Sequence, residues 1–267
     1  MKKKLGIIGC CGRMGQAIAR LAEEGDIFEL SAVIEAAKHP CMGQSYRHLT
    51  HSEKPDLKIT SDIEALSENP DVLIDFSHHD TTLLHLEKAA KKKIPYVIGT
   101  TGITEKELAK ISILAKKIPI LYSPNMSLGM NVVLLAAELL AKKLGDLYDM
   151  EIIEAHHNKK ADSPSGTALK LFEVVRKALH RDENCGVYGR KGMIGKRTPK
   201  EIGIHAVRGG DIIGEHRLLL AGQGEQIELF HRVQSRDTFA HGALKGAEFL
   251  IGKTPGLYDM KAVLGLS

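Results

Sequence analysis

Short apolar runs alternate with amphipathic stretches through the first half of the chain. Lys4–Gly9, Phe28–Ile34, Val72–Phe76, Tyr96–Ile98 and Ile118–Tyr122 read as strands. Between them Gly12–Glu24 reads as a helix, with Met14, Ile18, Leu21 and Ala22 on one face. Thr81–Lys93 and Thr104–Lys116 read as two more. Strands separated by helices predict βαβ units and a parallel sheet. The polar stretch from Ala36 to Leu57 has little periodicity and predicts a loop or flap.

From Ser123 the pattern changes. Ser127 is placed to cap a long helix running to about Leu144, and Met150–His156 follows as a strand. Ser165 precedes another amphipathic helix, to about Leu179. Ile202–Arg208, Asp211–Ala221 and Glu225–Gln234 predict successive antiparallel strands joined at Gly209-Gly210 and Gly222-Gln223-Gly224. Thr238–Ile251 is a last helix, before a loop-rich tail to Ser267. The pattern predicts a nucleotide-binding α/β domain followed by an α+β domain, with no internal repeat.

Composition narrows the functional classes. At 267 residues the chain suits two modest domains with sizeable cores, needing no disulfide or metal staple. The net charge of +4 suits an anionic small ligand at least as well as nucleic acid, and no block of five like charges forms a polybasic arm. With no Trp, six Phe and six Tyr, aromatic stacking is not expected to be the main binding device. The most apolar run, Val132–Ala141, is short and interrupted by Glu138, so no membrane span is expected. The Lys-rich start lacks a signal-peptide cleavage site, and a cytoplasmic chain is expected. Of four cysteines, Cys10 and Cys11 are adjacent and Cys41 and Cys185 isolated. Without a CxxC pair, neither a zinc knuckle nor a redox dithiol is indicated.

The first candidate for chemistry is the glycine-rich opening, Gly6-Ile-Ile-Gly9-Cys-Cys-Gly12-Arg-Met-Gly15, between a strand and a helix. Glycines there permit a tight turn and let a pyrophosphate approach helix N–H groups. The GxxGxxG spacing is weaker than GxGxxG, but Glu35, at the end of the second strand, stands where a ribose-binding acid belongs. Gly99-Thr-Thr-Gly102 and Ser123-Pro-Asn-Met126 follow two further strands, where open α/β sheets place ligands. Read alone, they are ordinary turns. His78-His79 reads as surface or ribose-adjacent polarity.

The second candidate is Glu151-Ile-Ile-Glu-Ala-His-His-Asn-Lys-Lys-Ala-Asp-Ser-Pro-Ser-Gly-Thr-Ala168. A strand ends at His156-His157, a polar loop carries Lys159 and Lys160, and a helix starts after Ser165. N–H donors at Gly166 and Thr167, with the positive helix end, suit a small carboxylate. Lys160 and the imidazoles add groups able to move protons. An exposed basic loop beside a capped helix remains the alternative. Metal ligation by His156 and His157 is not expected: adjacent strand residues face opposite ways, and no HExxH completes a set.

Glu154-Ala-His-His157, with Lys160 and Asp162-Ser-Pro-Ser-Gly-Thr167, closely resembles the signature of the 4-hydroxy-tetrahydrodipicolinate reductase (dihydrodipicolinate reductase) family of lysine and diaminopimelate biosynthesis. The resemblance continues through Gly9–Gly15, Asp75-Phe76, Val97–Gly102, Asn125–Asn131, Val207–His216 and Ser235–Gly242, nearly the whole chain in order. It implies a Rossmann-type parallel-sheet cofactor domain, 1–126 and 238–267, plus an α+β mixed-sheet substrate and oligomerisation domain, 127–237. The final helix and tail return to the first domain, and substrate-domain sheets associate into a homotetramer. The implied reaction is NADH- or NADPH-dependent reduction of a small dicarboxylate, with no nucleic acid, membrane or metal partner.

Carried onto this sequence, the resemblance assigns Gly9, Cys10, Cys11, Gly12, Arg13, Met14, Glu35, Gly99, Thr100, Thr101, Ser123, Pro124, Asn125 and Met126 to the cofactor. His156 becomes the proton donor or acceptor and Lys160 the proton donor, while His157, Gly166 and Thr167 hold the substrate's carboxylates. One departure matters: family members that use NADPH well often place an arginine after the ribose acid, whereas here Ala36 follows Glu35. NADH is therefore expected to serve at least comparably. A redox-sensing repressor would add a DNA-reading helix-turn-helix, which the sequence lacks. The nearer rival is a dehydrogenase of the same plan acting on aspartate or homoserine derivatives.

Overall fold

A computed structural model of the chain describes residues 1–47, 57–66 and 69–266. The chain folds into two compact units: Met1–Leu128 joined by the chain from Arg236 onward, and Gly129–Ser235.

In the first unit, β1 (Lys3–Ile8), β2 (Phe28–Ile34), β3 (Val72–Asp75), β4 (Tyr96–Ile98), β5 (Pro119–Tyr122) and β11 (Gly256–Tyr258) form one sheet in the order β11-β5-β4-β3-β1-β2. Every neighbouring pair is parallel. Such a sheet is buried on both faces, so its strands read as near-continuous Leu, Ile and Val runs. β3 and β4 are buried throughout. The helices are α1 (Arg13–Glu24), α2 (His79–Lys91), α3 (Glu105–Leu114), α6 (Asp237–Leu250) and the short α7 (Met260–Val263). α1 buries Gly15, Ile18, Ala19 and Ala22. Thr104 and Glu107 form a capping box at the start of α3.

α6 joins this core because its buried stripe is made of small residues. A Cβ on Gly242 would stand 1.7 Å from the Met126 carbonyl oxygen. Since β1 has β2 on one side and β3 on the other, the chain order reverses there. A crevice opens at the carboxyl ends of these strands, where doubly wound sheets bind ligands.

The second unit centres on β6 (Asp149–His156). Its sheet runs β10-β9-β6-β8-β7, with β7 (Gly186–Tyr188), β8 (Ile202–Arg208), β9 (Gly214–Ala221) and β10 (Gln226–Val233). β8 and β7 lie parallel to β6, while β9 and β10 are antiparallel to their neighbours. α4 (Leu128–Leu144) and α5 (Gly166–Ala178) contribute Ala137, Ala141, Leu171, Phe172 and Val175 to a core with Met150, Ile152, Ile204, Leu218 and Leu220. Strand residues alternate accordingly: in β6, Met150, Ile152, Glu154 and His156 are the buried set.

Three expectations are corrected. β8 and β9 are not a hairpin: β6 lies between them and pairs with both. The Gly209-Gly210 segment makes a wider connection tied to the end of β6, with Gly209 N–H donating to the His156 carbonyl and Asn158 N–H to that of Gly210. β7 is a strand the periodicity missed, being only three residues long. The tail contains β11 and α7 rather than loop alone. Residues 48–56 of the expected loop, and Ser267, lie outside the described residues.

Candidate active site

The glycine-rich turn has the geometry that close approach requires. Gly9 has φ of +78°, and a Cβ there would meet the Phe76 carbonyl oxygen at 2.7 Å. A Cβ on Gly15 would stand 2.2 Å from the Gly9 carbonyl oxygen, so α1 starts pressed against the turn only because that residue is glycine. Glu35 leaves the end of β2 and accepts from the Cys11 N–H at 3.0 Å and the Ala36 N–H at 2.9 Å. The turn and the acid are thus joined directly. Gly9, Cys11, Gly12 and Glu35 line one cavity of about 620 Å³, with Phe76, Ser77, His78 and His85. Cys10 is fully buried beneath it, and Arg13 is exposed at the start of α1.

A second cavity, of about 340 Å³, is lined by Met14, Gly99, Thr100, Thr101, Pro124, Asn125 and Met126. Phe76 and Ser77 border both cavities. Ser123 does not line it; it is buried, its hydroxyl donating to the Asn125 carbonyl at 2.7 Å. Behind Thr100 lies fully buried Asp75, which accepts from Tyr96 Oη at 2.7 Å, Thr100 Oγ1 at 3.2 Å and the Ser77 N–H at 2.8 Å. Sequence reasoning missed Arg236 and Phe239, which line this cavity from near the start of α6. Glycines without side chains, an acid at the ribose position and a cavity of this size fit a dinucleotide.

In the second unit the strand register assembles a buried charge network. Glu154 is paired across β6–β9 with His216, and His156 across β6–β8 with Arg208. Glu154 is 0% exposed. It accepts from both terminal guanidinium nitrogens of Arg208 at 2.8 Å and from the Ser165 N–H at 3.0 Å, and lies 2.6 Å from His156 Nδ1. Burial pushes its acidity toward the neutral form, but Arg208, His156 and the Ser165 amide outweigh that and hold the carboxyl below its ordinary range. Ionised Glu154 accepts only, so His156 carries its proton on Nδ1. Burial lowers the proton affinity of His156 and outweighs Glu154, which raises it. The result is a neutral imidazole with Nε2 unprotonated at neutral pH.

Beside this network Ser165 caps α5, its hydroxyl accepting from the Ala168 N–H at 3.2 Å and lying 3.0 Å from His216 Nε2. Gly166, the first helical residue, is exposed, with nothing within 4 Å of the position a Cβ would take. No fold contact excludes a side chain there, so the open space at a helix N-terminus suits a bound anion. Thr167 follows. Lys160 lies in the turn after β6, 2.8 Å from Asp162 Oδ1, and that turn also holds half-buried His157. Arg208 binds the loop by donating to the Asp162 carbonyl at 2.7 Å.

The sequence-predicted residues His156, His157, Lys160, Gly166 and Thr167 thus stand on one strand end, one turn and one helix start. Glu154, Arg208, Ser165 and His216 were not assigned roles. A signal existed for Glu154: it shares a strand face with His156, in a series otherwise apolar. Arg208 and His216 come from strands distant in sequence, so only the register reveals them.

Comparison with known proteins agrees with this architecture. The family model described as dihydrodipicolinate reductase, N-terminus, matches residues 3–126, and that described as dihydrodipicolinate reductase, C-terminus, matches residues 129–264. A 4-hydroxy-tetrahydrodipicolinate reductase from Geotalea daltonii is 47% identical over 264 residues, covering 98% of this chain and 99% of that protein. One from Thiobacillus denitrificans is 44% identical over 267 residues, the full length of both. Among solved structures, a dipicolinate-bound dihydrodipicolinate reductase from Paenisporosarcina sp. TG-14 matches with a TM-score of 0.76 at 26% identity, covering 97% of this chain and 98% of that one.

Proposed function

The chain belongs to the dihydrodipicolinate reductase family, and from that premise we propose that it reduces 4-hydroxy-tetrahydrodipicolinate to 2,3,4,5-tetrahydrodipicolinate, with loss of water, using NADH or NADPH. The observation that carries the reading is the Glu154–His156–Arg208 network beside the open start of α5. It pairs an anion site with groups that move protons. The dipicolinate held by the Paenisporosarcina relative is a ligand of the same dicarboxylate class.

When bound, the dinucleotide supplies a hydride. Gly9–Met14 would hold its pyrophosphate and Glu35 its ribose hydroxyls. Gly99, Thr100, Thr101 and Pro124–Met126 would hold its nicotinamide end, with buried Ser123 bracing that turn through the Asn125 carbonyl. His157, Gly166 and Thr167 grip the substrate's carboxylates, the backbone donors of α5 being oriented before the ligand arrives. Loss of water removes a hydroxyl and a proton, and hydride addition then requires a new proton at carbon. Lys160 donates it, and His156 exchanges a proton through Nε2 while Glu154 fixes its tautomer. Arg208 holds Glu154 in place and acts through it.

Among the described residues no helix is long and apolar enough to cross a membrane, and a cytoplasmic location suits a biosynthetic reductase. The sheet face of the second unit that α4 and α5 leave uncovered carries exposed Phe230, with the Arg217 and Arg232 guanidinium groups 5.1 and 5.0 Å from its ring. A homotetramer would cover that face with further copies.

Pyridine-2,6-dicarboxylate tests the substrate class. It should compete with substrate, and pyridine-2-carboxylate should compete far more weakly because donors arranged for a second anion go unpaired. Thr167→Val should weaken the dicarboxylate. Equal potency of the two inhibitors, with both effects abolished by moderate salt, would reduce the segment to a merely basic loop.

A further inference from the structure

Cys11 is far in sequence from His39 and Cys41, yet the first unit brings the three together. After β2 the chain turns tightly: His39 N–H donates to the Ala36 carbonyl, Met42 N–H to that of His39, and Cys41 N–H to His39 Nδ1 at 3.2 Å. The turn returns His39 and Cys41 to the glycine-rich loop, where one ligand atom from each of the three residues lies within 4.8 Å of the others. Adjacent Cys10 Sγ is 3.8 Å from Cys11 Sγ.

Zinc bonds of about 2.3 Å to sulfur and 2.0 Å to nitrogen put tetrahedral ligands roughly 3.5–3.8 Å apart. Closing the trio on an ion therefore takes side-chain movement of about 1 Å. All three residues are half-buried, and Cys11 and His39 line the larger cavity, which gives an ion its way in. We propose that Cys11, His39 and Cys41 form a Cys2His site for a thiophilic divalent cation of the zinc type, with a fourth position open to water. Two thiol protons leave on binding, and two thiolates neutralise the dication.

Burial, reinforced by the Glu35 carboxylate, pushes the Cys11 thiol up to about 12. Metal-free Cys11 therefore keeps its proton and is poorly suited to thiolate redox chemistry, whereas a dication reverses the electrostatics that hold that proton. Cys10, Cys11 and Glu35 form an overlapping trio, so the ion would sit beside the ribose acid. Metal and dinucleotide then exclude each other, a consequence that rests on the cofactor reading above.

The test is titration of the full-length reduced protein with Co2+, without dinucleotide. Wild type should bind one ion with a thiolate-to-cobalt charge-transfer band that excess Zn2+ abolishes. Cys41→Ser and, independently, His39→Gln should weaken binding at least about tenfold, while Cys185→Ser, in the other unit, should not. Absence of the band, or its persistence in Cys41→Ser, overturns the site. In a parallel arm, Zn2+ should weaken NADH binding to wild type but not to Cys41→Ser. Unchanged NADH affinity in zinc-loaded wild type refutes the antagonism. Failure of the metal-free protein to bind NADH refutes the cofactor reading instead.

Discussion

His216 gives the most quantitative consequence of the buried network. It sits on β9, 4% exposed, 5.2 Å between ring centroids from His156, with Nε2 3.0 Å from Ser165 Oγ and Nδ1 buried without a hydrogen-bond partner. Burial, then the neighbouring His156, push it down to about 4, against 6.5 for an ordinary histidine. In the unfolded chain it takes a proton near pH 6.5, whereas in the fold it stays neutral to about pH 4. Its contribution is therefore fully present above pH 6.5 and is lost as pH falls toward 4. A difference of this size corresponds to roughly 3 kcal/mol in total, of which about 2 kcal/mol is gone by pH 5. His216→Gln can keep a hydrogen bond to Ser165 but has nothing to titrate. Urea unfolding of both proteins at pH 7, 6 and 5 measures the difference. Wild type should lose about 2 kcal/mol more than the variant between pH 7 and 5. Parallel losses would refute the reasoning, because His216 would then not be held neutral by burial.

Other consequences concern the two binding regions. His156→Ala and Lys160→Ala should each lower kcat by roughly 10²–10⁴ with little change in NADH affinity measured by fluorescence; near-normal turnover in both at saturating substrate would remove them from catalysis. In kcat/KM against pH, the acid limb should lie below the ordinary histidine range, because burial lowers the proton affinity of His156. Glu154→Gln should move it lower still by removing the carboxylate that opposes that effect, and an upward shift would contradict the assignment. NADH should match or exceed NADPH in kcat/KM, because under the proposed binding Glu35 would face the ribose with no arginine following it; a strong NADPH preference would contradict this. Gly15→Ala should greatly weaken NADH binding, since its methyl would stand 2.2 Å from the Gly9 carbonyl oxygen; unchanged affinity would mean that the turn does not hold the cofactor.

Strands β1–β5 and helices α1–α3 and α6 of the first unit were legible because each parallel strand is a short, mainly apolar run beside an amphipathic helix. Phe28–Ile34 matches β2 residue for residue. The hairpin expected between β8 and β9 failed for a physical reason. Paired glycines can signal a tight turn, but Gly209 and Gly210 instead bind the end of β6, which takes both strands as partners. Motif spacing brought out the glycine turn, Glu35 and the 156–167 segment because each is local. Glu154 was visible only as a charge in a buried alternation. Arg208, His216, Arg236 and the Cys11–His39–Cys41 trio required knowing which distant segments meet, information that spacing along one chain does not carry.

The central claim is tested most directly by following NADH absorbance when the purified protein is given the condensation product of aspartate semialdehyde and pyruvate. The account predicts oxidation of NADH in step with formation of tetrahydrodipicolinate, and none with aspartate semialdehyde alone. Oxidation that needs only the semialdehyde, or none with the condensed substrate, would contradict it.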